Sequence, residues 1–336
     1  MHDMLRHWIR SLRLPQRGRS IWRLTVVICL TACLLIGLTG CIGRISQANR
    51  SLPFDPKEVT LAKAGQSVRV LVIGDFGMGN QAQRDVANAI AALHKARPFS
   101  FGITVGDNFY EHGVSSVADR KWEARWEKPY GVLGIPFYPT LGNHDYYGDV
   151  QAQLDYKSPS DSWRFPARQY VLRSALVDLV AIDTTDPRTE QYAWLDRILS
   201  ASNARWKIVY GHHPIFSAGT HGDNKEMERE LLPVIRGRVA LYVAGHDHDL
   251  QYLKPVDGTH LIVSGGGGGR LRQLHPDPRA LFARTIYGFT TLEIDASRIL
   301  VEMFDRNGQR IFQTDIFKEP SRSGAEQPTE AEAVAR

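Results

Sequence analysis

Apolar residues in this chain gather in short runs, each closed by glycine or a polar cluster. VRVLVI (68–73), FGITV (101–105), FYPTL (137–141), LVDLVAI (176–182), KIVY (207–210), ALYVA (240–244) and HLIVS (260–264) are nearly continuous and rich in β-branched residues. Continuous rather than alternating runs predict strands covered on both faces. Residues 81–96, 190–202 and 225–237 instead carry apolar side chains at three- and four-residue spacing, which predicts amphipathic helices. The last run, ILVEMFDRNGQRIFQTDIF, alternates on both sides of Asn307-Gly308, a hairpin pair. Together they predict an α/β layered domain with an antiparallel edge or second sheet.

Outside residues 57–318 the pattern changes. Residues 319–336 are rich in Glu, Ala, Ser and Pro without apolar periodicity, which predicts a disordered tail, and residues 41–56 read as a polar tether. At the start, an Arg-bearing stretch leads into LTVVICLTACLLIGL and then Leu-Thr-Gly-Cys at 38–41. Two readings stay open. Residues 1–40 are a signal peptide whose lipobox ends at Cys41, which would be lipidated, or they are an uncleaved membrane anchor. Either places the domain on the exported side, periplasmic or at the cell surface, tethered to a membrane.

The formal net charge of +5 belongs to that leader, where Arg6, Arg10, Arg13, Arg17, Arg19 and Arg23 face only Asp3. From Cys41 onward acids and bases balance, so no basic footprint for nucleic acid is present, and none is expected as a partner. Cys29, Cys33 and Cys41 all lie in the leader. The domain therefore has no disulfide framework, no thiolate nucleophile and no thiolate metal site.

Five of the apolar runs stop at glycine followed by ligand-type residues: Gly74-Asp75, Gly106-Asp107-Asn108-Phe109-Tyr110, Gly142-Asn143-His144-Asp145, Gly211-His212-His213-Pro214 and Gly245-His246-Asp247-His248. One Gly-Asp after a strand is ordinarily a turn or a helix cap. Five such ends in one chain would collect carboxylate, amide and imidazole at one edge of a sheet, where open α/β sheets bind ligands. Hard oxygen donors with imidazole suit iron, manganese or zinc. Their number exceeds the three protein ligands of one catalytic metal and suits two metals sharing a carboxylate. His213 reads as a supporting residue, since His212 holds the strand end. The run Gly265–Gly269 follows a strand and has two readings, a flexible turn or a segment that approaches the site.

In this order the motifs resemble the metallophosphoesterase superfamily, and within it the purple acid phosphatases of the short, tartrate-resistant type. The resemblance extends from about Val68 to Gly269 and includes His221-Gly222 and the Gln251-Tyr252 pair. It implies a layered β-sheet sandwich flanked by helices, with the active site at the C-terminal ends of the strands. It implies a ferric ion held by Asp75, Asp107, Tyr110 and His248. It implies a divalent ion, Fe, Zn or Mn, held by Asp107, Asn143, His212 and His246. His144 would sit beside the substrate phosphate and His221 near the leaving group. The implied reaction is hydrolysis of small phosphate monoesters, with a metal-bound hydroxide as nucleophile. One position departs: Tyr146 stands where mammalian-type members carry a further His, which leaves the metals untouched but bears on substrate contacts. Two other readings remain: a phosphodiesterase acting on nucleotides or other diesters, and a surface binding protein that holds metal without turnover.

Overall fold

The computed structural model describes Asn49, residues 52–61 and residues 67–317. The leader, Cys41 and the C-terminal tail lie outside the described residues. No helix among the described residues is long and apolar enough to cross a membrane.

In chain order the strands are β1 (Lys57–Thr60), β2 (Ser67–Ile73), β3 (Phe101–Val105), β4 (Phe137–Thr140), β5 (Tyr170–Arg173), β6 (Val177–Ala181), β7 (Trp206–Tyr210) and β8 (Leu241–Ala244). They continue as β9 (Leu250–Val256), β10 (Thr259–Ser264), β11 (Ala280–Arg284), β12 (Gly288–Asp295), β13 (Arg298–Asp305) and β14 (Arg310–Phe317). The helices are α1 (Gln81–Ala96), α2 (Val150–Asp155), α3 (Thr189–Ala201), α4 (Lys225–Glu230) and α5 (Leu232–Ile235).

Two sheets form. One has the order β1-β5-β6-β7-β8-β10-β9-β11, the other β14-β13-β12-β2-β3-β4. Each has a parallel centre: β6, β7, β8 and β10 in the first, β2, β3 and β4 in the second. These central strands are buried along nearly their whole length, as their unbroken apolar runs require. The hairpin at Asn307-Gly308 joins β13 to β14 antiparallel at an edge. Tyr170 and Tyr210 cross between the layers, their hydroxyls donating to the Pro139 and Tyr138 carbonyls at 2.6 and 3.4 Å.

The helices follow from local rules. The Asn80 side chain caps α1 by accepting from the Gln83 N–H. In α3, Gln191, Trp194, Leu195, Ile198 and Leu199 make one buried stripe, whose apolar members cluster with Val180 and Val209 of the larger sheet. Burying one such Leu or Ile fully is worth about 1.5–3 kcal/mol. The single helix expected over 225–237 is two. Pro233 near the start of α5 lacks the N–H that would continue the ladder, so the axis breaks after Glu230. Strands β1, β5, β9, β11 and β12 went unread because their runs are short or interrupted by polar residues, and pairing rather than pattern makes them strands. Within the stretch read as tether, the Leu52 carbonyl accepts from Arg168 at 3.0 Å, and the Phe54 ring lies edge-on to Trp194 at 6.4 Å.

Candidate metal centre

The C-terminal ends of β2, β3, β4, β7 and β8 meet at one end of the sandwich. Asp75, Asp107 and His246 all have left-handed backbone there, with φ of 56°, 50° and 70°. That conformation costs energy for residues with a side chain and is tolerated where surrounding contacts over-determine it. It turns each side chain back across the strand ends. The approach leaves no room at Gly142, where a Cβ would lie 2.1 Å from Asp107 Oδ1.

One half of the cluster is closed. The Tyr110 hydroxyl lies 2.8 Å from Asp107 Oδ2, 3.1 Å from Asp75 Oδ1 and 2.9 Å from His248 Nε2. All four side chains are buried. The Phe109-Tyr110 pair splits: Phe109 packs on Trp122 at 4.6 Å between ring centres, so its neighbour faces the carboxylates. The Arg270 carbonyl takes the His248 Nδ1 proton at 2.7 Å, leaving Nε2 with a lone pair.

The other half is more open. His212 Nε2 lies 3.1 Å from Asn143 Oδ1, 3.1 Å from His246 Nδ1 and 3.5 Å from Asp107 Oδ1. The Val105 carbonyl takes the His212 Nδ1 proton at 2.8 Å. Asn143 and His246 are only partly buried. Asp107 thus divides its two oxygens between the halves. His213 comes within the same reach as His212 and His246, but its Nδ1 is engaged by the Thr184 hydroxyl at 2.9 Å.

Around this cluster, His144 Nδ1 donates to the Glu111 carbonyl at 2.6 Å, and its ring packs on Tyr110 at 4.5 Å. His221 stacks on His246 at 4.0 Å and donates from Nδ1 to Asp247 Oδ1 at 2.9 Å. Arg272 donates to His221 Nε2 at 2.5 Å. Tyr146 does not line the site. It is buried, its hydroxyl bonding Asp183 and accepting from Arg168 at 2.9 Å. The glycine run is no loose turn. Gly267 and Gly269 donate to the Gly74 and Asp75 carbonyls at 3.0 and 2.6 Å, and a Cβ at Gly265 would lie 2.1 Å from the Asp247 carbonyl.

The electrostatics describe a cluster short of positive charge on one side. Burial, then Asp107 and Asp75, push the Tyr110 phenol well above its ordinary range. Burial opposes charge on His212 and His248, yet the adjoining carboxylates outweigh it and raise both. Burial, then the neighbouring imidazoles, hold His246 well below the usual value and bring His213 down to about 3. Among the described residues no Lys or Arg side chain pairs with Asp75 or Asp107. At Asp107 Oδ1, Asn143 Oδ1 and the unprotonated Nε2 atoms, lone pairs converge on lone pairs. Protons can relieve that convergence, and metal cations compete for the same lone pairs. The donor set of carboxylate, phenol, amide and imidazole fits hard to borderline cations.

Several contributors escaped sequence reasoning. Thr184 accepts the His212 and His213 N–H groups at 3.1 and 2.9 Å. Asp145 accepts from the Gly142, Asn108 and Phe109 N–H groups and so ties the Tyr110 loop to the Asn143 loop. Burial and Asp107 raise its pKa to about 6. Thr184 had a signal: the 176–182 run also ends in polar residues, Asp183-Thr184, though without the glycine. Arg272 had none.

The family model for calcineurin-like phosphoesterases matches residues 68–250. Purple acid phosphatase 7 of Arabidopsis thaliana is 35% identical over 290 residues, covering 76% of this chain and 88% of that protein. Tartrate-resistant acid phosphatase type 5 of Oryctolagus cuniculus is 29% identical over 306 residues, covering 76% and 92%. Among solved structures, purple acid phosphatase PPD1 from yellow lupin (Lupinus luteus) superposes with a TM-score of 0.61 at 18% identity, covering 75% of this chain and 54% of that one. GAP50, the anchor in the inner membrane complex of Plasmodium, gives 0.68 at 23%, covering 76% and 90%. At these identities the two structures speak to the fold.

Proposed function

This chain belongs to the calcineurin-like phosphoesterases and, within them, to the purple acid phosphatases, and on that premise we propose that the acid phosphatase hydrolyses small phosphate monoesters. The observation that carries the reading is the Tyr110 hydroxyl, set within 3.1 Å of two carboxylates and an imidazole. We assign Asp75, Asp107, Tyr110 and His248 to a ferric ion. We assign Asp107, Asn143, His212 and His246 to a divalent Fe, Zn or Mn ion. When bound, such a pair supplies Lewis acidity, neutralising phosphate charge and acidifying a water.

The chain's own residues do the rest. Asp107 spans both halves and holds them in register. The Val105 and Arg270 carbonyls fix His212 and His248 in the tautomer that turns Nε2 inward. His144, anchored on the Glu111 carbonyl, keeps Nε2 free to hold a proton toward the substrate phosphate. Asp247 orients His221, whose place on the open side suits protonation of a leaving oxygen. Both imidazoles donate only when protonated, so an acid optimum is expected.

Metal analysis and a visible spectrum of the purified protein, with rates on p-nitrophenyl phosphate and bis(p-nitrophenyl) phosphate across pH, test the proposal. Iron, a visible phenolate band and faster monoester turnover in acid are expected. Faster diester turnover would favour the phosphodiesterase reading, and metal without turnover the binding-protein reading. Cys41 we take as the lipidated residue that holds the exported domain at a membrane. Labelling with a radioactive fatty acid, lost in Cys41→Ser, checks that.

A further inference from the structure

We propose that Arg272 recognises the terminal oxygen that a phosphate monoester has and a diester lacks, and thereby sets the preference for monoesters over diesters. This rests on the monoester reading above. Arg272 is half-buried at the open side of the centre. Among the described residues no carboxylate pairs with it, whereas Arg279, seven positions on, is held by Asp223 at 2.8 Å and by Asp277 at 2.6 Å. The partner of the Arg272 guanidinium is the His221 ring. With Nδ1 donating to Asp247, Nε2 accepts from Arg272 at 2.5 Å. A fork of five N–H donors therefore meets one imidazole and, among the described residues, no carboxylate.

Its position is built rather than incidental. The backbone is pinned on both sides: Gly269 N–H donates to Asp75 at 2.6 Å, the Arg270 carbonyl accepts from His248 at 2.7 Å, and Thr285 donates to the Arg272 carbonyl at 3.1 Å. Just beyond, Thr220 donates to the Gln273 carbonyl at 2.9 Å and His275 N–H to Ala218 at 2.7 Å. The His221 ring beside the guanidinium stacks on His246 at 4.0 Å, which connects Arg272 through one ring to the Asn143–His212–His246 half. A monoester presents three terminal oxygens and up to two negative charges. A diester replaces one of those oxygens with an ester oxygen and carries a single charge. A planar guanidinium matches two oxygens of the first and loses a partner with the second.

The test uses the metal-loaded enzyme and Arg272→Gln. KM for p-nitrophenyl phosphate is expected to rise about tenfold, with kcat within about threefold and KM for bis(p-nitrophenyl) phosphate within about threefold. Inorganic phosphate, followed by calorimetry without turnover, should weaken by a similar factor. Arg272→Lys, which keeps the cation but not the fork, should fall between. It also carries the test should Arg272→Gln melt well below wild type. Equal KM changes for both esters, or unchanged phosphate affinity, would overturn the assignment while the monoester reading stands. A wild-type enzyme that turns over diesters and not monoesters would overturn both.

Discussion

The two halves of the candidate metal centre share one carboxylate but differ in nearly everything else. Around Tyr110 the donors are anionic or acidic oxygens with one imidazole, all buried. Around His212 they are neutral, imidazole and amide, and two of the three are partly exposed. The closed half is walled by the aromatic pack behind Phe109 and by the glycine run lying on Gly74 and Asp75. The open half is rimmed by His144, His221 and Arg272, each partly exposed. The difference teaches where each task belongs. A buried, charge-rich pocket suits an ion of high charge that is kept. An exposed, neutral one suits an exchangeable ion and an incoming anion.

The strongest way to break that division is to remove what the halves share. Asp107→Asn should lower activity on the order of a thousandfold or more and reduce metal content at both positions, read by elemental analysis. Loss of a single metal would mean the bridge is not shared. Next, Tyr110→Phe strikes the closed half alone. The visible band of the iron-loaded protein should vanish while melting temperature stays close to wild type, and an unchanged band would sink the phenolate assignment. With no cation present, the phenol should stay protonated well above its ordinary range, since burial and two carboxylates oppose its ionisation.

Smaller effects sharpen the contrast. At Gly265 a Cβ would lie 2.1 Å from the Asp247 carbonyl and 2.9 Å from Asp75 Oδ2, so Gly265→Ala strains both halves at once. It should cost about 1–3 kcal/mol in urea unfolding. An unchanged midpoint would mean the run yields more easily than its contacts imply.

The smallest change concerns the rim of the open half. Arg279 clasps Asp223, on the loop that carries His221, to the segment that carries Arg272. Hydrogen bonding to Arg279 holds Asp277 below the usual carboxylate range, and for Asp223 it outweighs burial to the same end. Carboxyls depressed in the folded state add stability above their unfolded pKa, about 3.9, and lose it as pH falls through the folded value. Arg279→Gln should therefore cost about 1 kcal/mol at pH 6, with the gap closing in acid. Melting curves at pH 6 and pH 3 check it. A gap of constant size would rule out this electrostatic origin.

The legibility of the molecule divides along similar lines. Central strands and long helices were readable because their burial is continuous or periodic, and a local pattern records it. The edge strands β1 and β11 depend on partners far away in sequence, β5 and β9, and their own residues carry little signal. The break between α4 and α5 was visible in Pro233 and overlooked. The residues that converge at this end of the sandwich were legible as a group because most follow a glycine at the end of an apolar run, whereas Tyr110 was singled out only by the family resemblance. Tyr146 departs from the family pattern at a position where relatives carry a His, and only tertiary packing shows it turned onto Asp183 and Arg168.

By itself the chain's order of residues determined the layered α/β class, the inventory of donors and the strand ends from which they project. Those are local properties, set by hydrophobic pattern and by backbone turns at glycine. Only the tertiary structure decided which donors share a half, which is buried and which open, and that Arg272 at the rim meets an imidazole and, among the described residues, no carboxylate. Charge and burial at a point are sums over groups from distant parts of the chain. Val105, Arg270 and Asp247 orient imidazoles to which no spacing rule connects them; the meeting of two sheets brings Val105 to His212, and neighbouring loops of the larger sheet bring Arg270 to His248 and Asp247 to His221.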